Sequence, residues 1–181
     1  MIEAKKIQLT GGKIATFRSA IISDAKELLE YINLISGESD FLSFGVGEFS
    51  MTLEEEEAFI ENVTKQETSL MLVVEVENKI IANLNFSAGR RPRLAHQGEF
   101  GISVAKAYWG EGIASKLLTF MIDWAHETGA IKKINLRTRS DNQSAIRLYK
   151  KFGFKEEGLL TREICIDNKF YDSILMGLTI D

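Results

Sequence analysis

The chain is predicted to fold as one α/β (α+β) domain. Its expected core is a mixed, mostly antiparallel central sheet of six to seven strands, flanked by about four helices. Three observations predict this. Strand-like and helix-like segments alternate along all 181 residues. A strand–helix–strand unit of parallel type lies in the second half, between hairpin signals on either side. There is one proline, Pro92, and no Ser/Gly-rich linker, so a single domain is expected over residues 1–181.

The elements follow in order. "KKIQLTGGKIATFRSA" reads as two short strands around Gly11-Gly12. "SDAKELLEYINLIS" reads as a helix, capped by Ser23 or Asp24, with Leu28, Leu29, Ile32 and Ile35 at helical spacing. An irregular stretch from Gly37 to Ser50 holds Phe41, Phe44 and Phe49. In "MTLEEEEAFIENVTKQ", Thr52 is a plausible N-cap and Glu55 its capping-box partner three residues on. The run Glu54 to Glu57 can be read as a cation-binding patch. Carboxylates complementing the helix dipole, at ~0.3–1 kcal/mol each, are the preferred account.

"SLMLVVEVENKIIANLNFSAG" reads as two antiparallel strands around Glu77-Asn78. In "QGEFGISVA", Phe100, Ile102 and Val104 share one face of a strand. A helix from about Gly112 to Thr128 carries Ile113, Leu117, Leu118, Met121, Ile122 and Ala125 at helical spacing, with Gly129 as its stop. "KKINLRTR" is a strand and "NQSAIRLYKKFG" a short helix ended by Gly153. "TREICIDNKFYDSILMGLTI" closes the chain as two long strands around Asp167-Asn168.

Composition narrows the function. The net charge of −4 argues against a general nucleic-acid binder and leaves room for a small cationic substrate. The single cysteine, Cys165, cannot form an internal disulfide, and is expected as a buried or half-buried strand residue. No CxxC or His-rich cluster suggests a metal. No stretch reaches the ~18 apolar residues of a spanning helix. "MIEAKKIQLTGGK" has no apolar h-region. A cytoplasmic protein without nucleic-acid or membrane partners is the default expectation, and a homodimer is left open.

The chemistry centres on "AYWGEGIASKLL", Ala107 to Leu118. Two glycines at a helix N-terminus let an anion approach unpaired N–H groups without meeting a Cβ. A plain tight turn uses glycine in the same way. The Walker A pattern fails, because Gly112 is followed by Ile113-Ala114 rather than Lys-Ser/Thr. The dinucleotide pattern G-x-G-x-x-G fails at Ser115. Arg137 and Arg139 could mimic an NADP phosphate site, but too little chain follows for further βαβ units.

"VAKAYWGEGIASKLL" resembles motif A of the GCN5-related N-acetyltransferase (GNAT) superfamily, whose core is Q/R-x-x-G-x-G/A. Gly110, Gly112 and, loosely, Ile113 fill its last three places, while Ala107 stands where Gln or Arg is usual. "DNQSAIRLYKKFGFKEEG" resembles the next motif at Asn142, Ala145, Tyr149, Lys151, Gly153 and Phe154. The order of elements fits along almost the whole chain. "HQGEF" and "GLLTREICIDNKFYDSILMGL" are similar to the spermidine/ribosomal-protein acetyltransferase branch.

The resemblance implies a GNAT-like domain moving acetyl from acetyl-CoA to a small-molecule or peptide amine by direct attack. Backbone N–H groups of Trp109, Gly110, Glu111, Gly112, Ile113 and Ala114 are then expected to bind the pyrophosphate, with the Ser115 hydroxyl. The backbone of Ser103 and Val104 is expected to pair with pantetheine in a splayed strand pair. Val104 N–H is the implied oxyanion donor, Glu99 the implied base and Tyr149 the implied acid toward the thiolate. Asn142, with Ala145, is expected beside coenzyme A, although helix capping explains Asn142 nearly as well. Lys106 reads as a surface lysine near a phosphate. Glu38, Asp40, Glu48 and His96 are candidate acceptor contacts. A non-catalytic acyl-CoA-sensing domain and a nucleotide-binding module are the alternatives. The presence of Tyr149 counts against the first and the absent Walker lysine against the second.

Overall fold

The computed structural model describes residues 3–181. Eight strands form one sheet: β1 Lys5–Gln8, β2 Ile14–Ser19, β3 Ser69–Val76, β4 Lys79–Ala88, β5 Gln97–Val104, β6 Lys133–Arg139, β7 Lys155–Ile166 and β8 Lys169–Thr179. Four α-helices cover it: α1 Ala25–Ser36, α2 Leu53–Thr64, α3 Ile113–Thr128 and α4 Gln143–Lys151. The sheet order is β1-β2-β3-β4-β5-β6-β8-β7, antiparallel at every pair except β5–β6. The count exceeds the expected six to seven because both terminal hairpins extend the same sheet.

Two cores form on opposite faces. The period-two alternation of β3 sends Leu70, Leu72, Val74 and Val76 to the α3 side, where they meet Leu117, Leu118 and Met121. Met71 and Val73 point the other way, against Leu28, Ile32, Ile35, Ile60 and Val63 of α1 and α2. In α3, Trp124 joins the buried set, packed edge-on to Phe86 at 5.5 Å, while the expected Ile122 is only half-buried.

The turns follow their sequences. Glu77-Asn78 and Asp167-Asn168 all adopt positive φ, as a two-residue hairpin turn of type I′ requires. Thr52 and Glu55 close the capping box on α2. The start of α1 differs from expectation. Asp24 sits at its N-cap after a 3-10 turn, but its side chain does not cap the helix. The carboxylate instead takes two hydrogen bonds from Arg18, at 2.6 and 2.8 Å, and one from Ile21 N–H. Cys165 also differs: it lies on a strand as expected but is exposed, because β7 is the sheet's outer edge. No described helix is long and apolar enough to cross a membrane.

Candidate active site

The sheet opens where its one parallel pair ends. β5 and β6 are in register only at Gln97/Lys133, Gly98/Ile134 and Glu99/Asn135. Beyond Glu99 the strands diverge, and β5 continues paired with β4 alone, to Ala82/Val104. On that side Ala105 N–H donates to Ile81 C=O, and Gly89 N–H to Gln97 C=O. In an antiparallel ladder this alternation turns the odd-numbered backbone groups of β5 toward β4. The N–H groups of Ile102 and Val104 therefore face the opening, whereas the backbone of Ser103, expected beside pantetheine, is turned to Asn83 of β4, although the residue itself lines the cleft.

A cleft of about 1400 Å³ fills the gap. Ser103, Val104, Trp109, Gly110, Gly112, Ile113, Ala114, Ser115, Asn142, Ala145, Tyr149 and Glu99 line it, so nearly all the expected site residues meet there. Gly110 and Gly112 both hold positive φ, +82° and +75°, and a Cβ on either would meet nothing within 4 Å. The glycines thus serve backbone conformation, and leave open space above the loop. Gly112 N-caps α3 without a side-chain cap. The first intrahelical bond is Lys116 N–H to Gly112 C=O, so the N–H groups of Ile113, Ala114 and Ser115 precede the helix's own ladder.

Three details sharpen the expected cradle. Trp109 N–H donates to Lys106 C=O at 3.2 Å, so that amide is already engaged. The Trp109 indole Nε1–H donates to Val104 C=O at 2.7 Å and holds the loop against the end of β5. Glu111 does not line the cleft. Its carboxylate turns outward to accept Thr10 N–H at 2.6 Å, which keeps a negative group away from the helix N-terminus. Lys106 stays on the surface near the Trp109 ring, while its N–H donates to Glu38 at 2.7 Å.

Tyr149 is buried between Phe100 and Phe154, with centroids 5.9 Å from each, and lines the cleft. Burial pushes its hydroxyl up to about 12. The hydroxyl has no hydrogen-bond partner among the described residues. Asn142 caps α4 by accepting Ala145 N–H at 3.2 Å.

Glu99 is exposed and bound to Arg137 at 2.9 Å. Arg137 also donates to Glu163 of β7 at 3.0 Å, bridging the two rims where the strands part. These two contacts raise the guanidinium further above its usual range. Arg139 is buried and bidentate to Asp141, which it holds below the usual carboxylate range. It stacks between Phe41 and Tyr171, 4.8 and 3.7 Å from the ring centroids, and donates to Asp40 C=O. Neither arginine is a free phosphate anchor. Arg139 instead ties the 37–50 segment to β6.

The acceptor candidates separate. Glu38 lines the cleft, while Asp40, Glu48 and His96 do not. Glu48 accepts Gly45 N–H within its own turn, and His96 offers its carbonyl to Lys132 and Lys133. Sequence reasoning weighed Glu54 to Glu57 as a cation-binding patch and preferred the helix-dipole account, without singling out Glu56, which is buried and lines the cleft. It missed Tyr31. That buried hydroxyl shares a 2.8 Å hydrogen bond with Ser103, which donates to Asn83 at 2.7 Å; burial raises the phenol. The signal for Glu56 was present: it lies four and seven residues before Ile60 and Val63, on the inward stripe of α2.

The sheet thus opens at its single parallel pair over a bare helix N-terminus. Residues 37–154 match the model of the acetyltransferase (GNAT) family, and the chain belongs to that family. It is 30% identical over 106 residues to the L-amino acid N-acetyltransferase AaaT of Escherichia coli (strain K12), covering 59% of this chain and 65% of that protein. It is 34% identical over 74 residues to a spermidine N(1)-acetyltransferase of Vibrio cholerae, covering 41% and 43%. The chain thus spans less than two thirds of these curated relatives. A solved acetyltransferase of the GNAT family from Streptococcus pneumoniae shares the architecture at a TM-score of 0.88 and 34% identity, over 92% of this chain and 99% of that one. Acetyl-CoA is the family's usual cosubstrate.

Proposed function

We propose that this chain is an acetyl-CoA-dependent N-acetyltransferase acting on a primary amine of a polyamine, an amino acid or a protein N-terminus. One observation carries the reading. The open backbone edge of β5 leads to the bare N-terminus of α3, and the unpartnered hydroxyl of Tyr149 borders the same cleft. This combination suits a ligand with a peptide-like arm and a phosphate, and a reaction that needs a proton donor.

The residues fit that ligand without help from side-chain cations. The N–H groups of Ile113, Ala114 and Ser115 suit the pyrophosphate, and the vacant space above Gly110 and Gly112 admits it. Acetyl-CoA supplies the acetyl thioester. Val104 N–H, facing the gap, donates to the acyl oxygen as charge develops there. Glu99, directly or through a water, takes a proton from the acceptor ammonium. Tyr149 donates its hydroxyl proton toward the departing sulfur.

The test is an amine panel with acetyl-CoA, read by thiol release. Polyamines, amino acids and peptides are the three arms, and turnover with at least one is expected. Tight coenzyme A binding with no turnover in any arm would show an acyl-CoA-sensing domain instead.

A further inference from the structure

Four carboxylates face the cleft among the described residues: Glu38, Glu56, Glu99 and Glu163. Three are engaged. Glu38 accepts Lys106 N–H at 2.7 Å, and Glu99 and Glu163 hold Arg137 at 2.9 and 3.0 Å. Glu56 is the most buried of the four, 2% exposed, and its carboxylate, which opens onto the cleft, has no hydrogen bond or ion pair with any described residue. The other buried carboxylate of the fold, Asp24, shows what satisfaction looks like, with Arg18 and Ile21 N–H both bound to it. Burial raises the Glu56 carboxyl above its usual range, as expected of a charge with no counter-ion.

Apolar and polar side chains share this side of the cleft, where Asn85 lies directly across from Met71. Ile35, Phe44, Phe49, Phe59 and Met71 line this end of the cleft, with the Phe44 and Phe49 rings 5.3 Å apart. A buried carboxylate among aromatic rings suits an ammonium, which both groups attract. It repels a carboxylate. The helix bearing Glu56 packs on β3, two strands from β5. Two strand spacings are about 10 Å. An ammonium received at Glu56 would therefore be distinct from the amine proposed to react beside Val104 and Glu99, and would lie further along the acceptor.

We propose that Glu56 is a specificity-determining residue: its carboxylate receives a second, distal ammonium on an apolar linker, so the site selects diammonium alkanes over α-amino acids. The inference rests on the acetyltransferase reading and narrows its acceptor. The free carboxylate of an α-amino acid finds no cation at this end of the cleft, because Arg137 and Arg139 are committed to Glu99, Glu163 and Asp141.

The experiment compares cadaverine with pentylamine, which differ by one terminal ammonium, and includes the next longer diamine and the α-amino acid leucine, in the full chain and in Glu56→Gln and Glu56→Asp. Rates with acetyl-CoA and calorimetric titrations of each amine are measured in parallel. The unsubstituted chain should favour cadaverine, with KM and Kd on the order of 10- to 100-fold lower, as one charge-assisted hydrogen bond supplies. Glu56→Gln should bring that ratio to about one, mainly through KM. Glu56→Asp should keep the preference and move it to a longer diamine, because its carboxylate is withdrawn by one methylene. A purely structural role would not move the optimum chain length. An unchanged ratio in Glu56→Gln, or preference for an α-amino acid in the unsubstituted chain, overturns the proposal. Absence of turnover with every amine overturns the acetyltransferase reading, and the calorimetric ratio still decides the role of Glu56.

Discussion

Among the residues of the proposed reaction, Tyr149 has the role most directly dictated by its surroundings. Phe100 and Phe154 strip water from its ring, and the resulting hydroxyl, near 12, stays protonated across the neutral range. A coenzyme A thiolate, with an ordinary thiol value of about 8.5, is a weaker base than the tyrosinate. In the proposed reaction the phenol therefore serves first as a hydrogen-bond donor to sulfur as charge builds there. Tyr149→Phe should lower kcat on the order of 10²-fold while leaving acetyl-CoA affinity within a few-fold. A near-normal rate would return Tyr149 to the core as a packing residue. Tyr149 and Asn142 were legible in the sequence because their spacing on α4 repeats a known pattern. Glu56 was not. Four consecutive glutamates at a helix start satisfy the dipole account, and only the helical phase with Ile60 and Val63 distinguishes the third of them. Cys165 was misread for a different reason. Residue type suggests burial, whereas exposure depends on which strand ends the sheet.

At the scale of elements, turn chemistry made the hairpins readable and helix N-termini made the cradle readable. Glycine spacing alone could not say which N–H groups remain available. That depended on contacts the spacing does not show: Lys106 C=O takes Trp109 N–H, and Thr10 draws the Glu111 carboxylate away from the helix end. The role of Gly112 can be separated into conformation and charge. Its φ of +75° makes any side chain strained, while the space around a Cβ is free. Gly112→Ala should therefore cost about 1–2 kcal/mol of folding stability and weaken acetyl-CoA binding modestly. Gly112→Glu should show the same melting loss but abolish binding, because a carboxylate then stands where a pyrophosphate is expected. Calorimetry giving equal affinities for the two variants would remove the phosphate from this loop.

The splayed strand pair was expected only from the family resemblance, and the whole molecule fixes where it opens: the place where β5 and β6 stop pairing. Parallel strands joined through a helix were legible, but their register ends by geometry, after three residue pairs, and the divergence makes the cleft. Gly98 sits at the centre of those three pairs and does not line the cleft. A Cβ there would collide with the Ser87 carbonyl and the Phe86 ring, which are fixed by β4 and the core. Gly98→Ala should therefore cost about 1–3 kcal/mol by overpacking, lowering Tm by about 2–4 °C per kcal/mol in a chain of this size. Because the collision lies at the root of the divergence, acetyl-CoA affinity should fall as well, although no ligand contact is touched. Gly177→Ala is the matched control. The nearest atoms to its Cβ belong to the exposed Glu157 carboxylate, which is paired with Lys133 at 2.7 Å, so the cost should stay within that of one surface ion pair, about 0–1 kcal/mol, and affinity should stay near that of the unsubstituted chain. Equal Tm values for the two variants would show that the root of the cleft yields as easily as its rim, and that the opening is not held by the packing at Gly98.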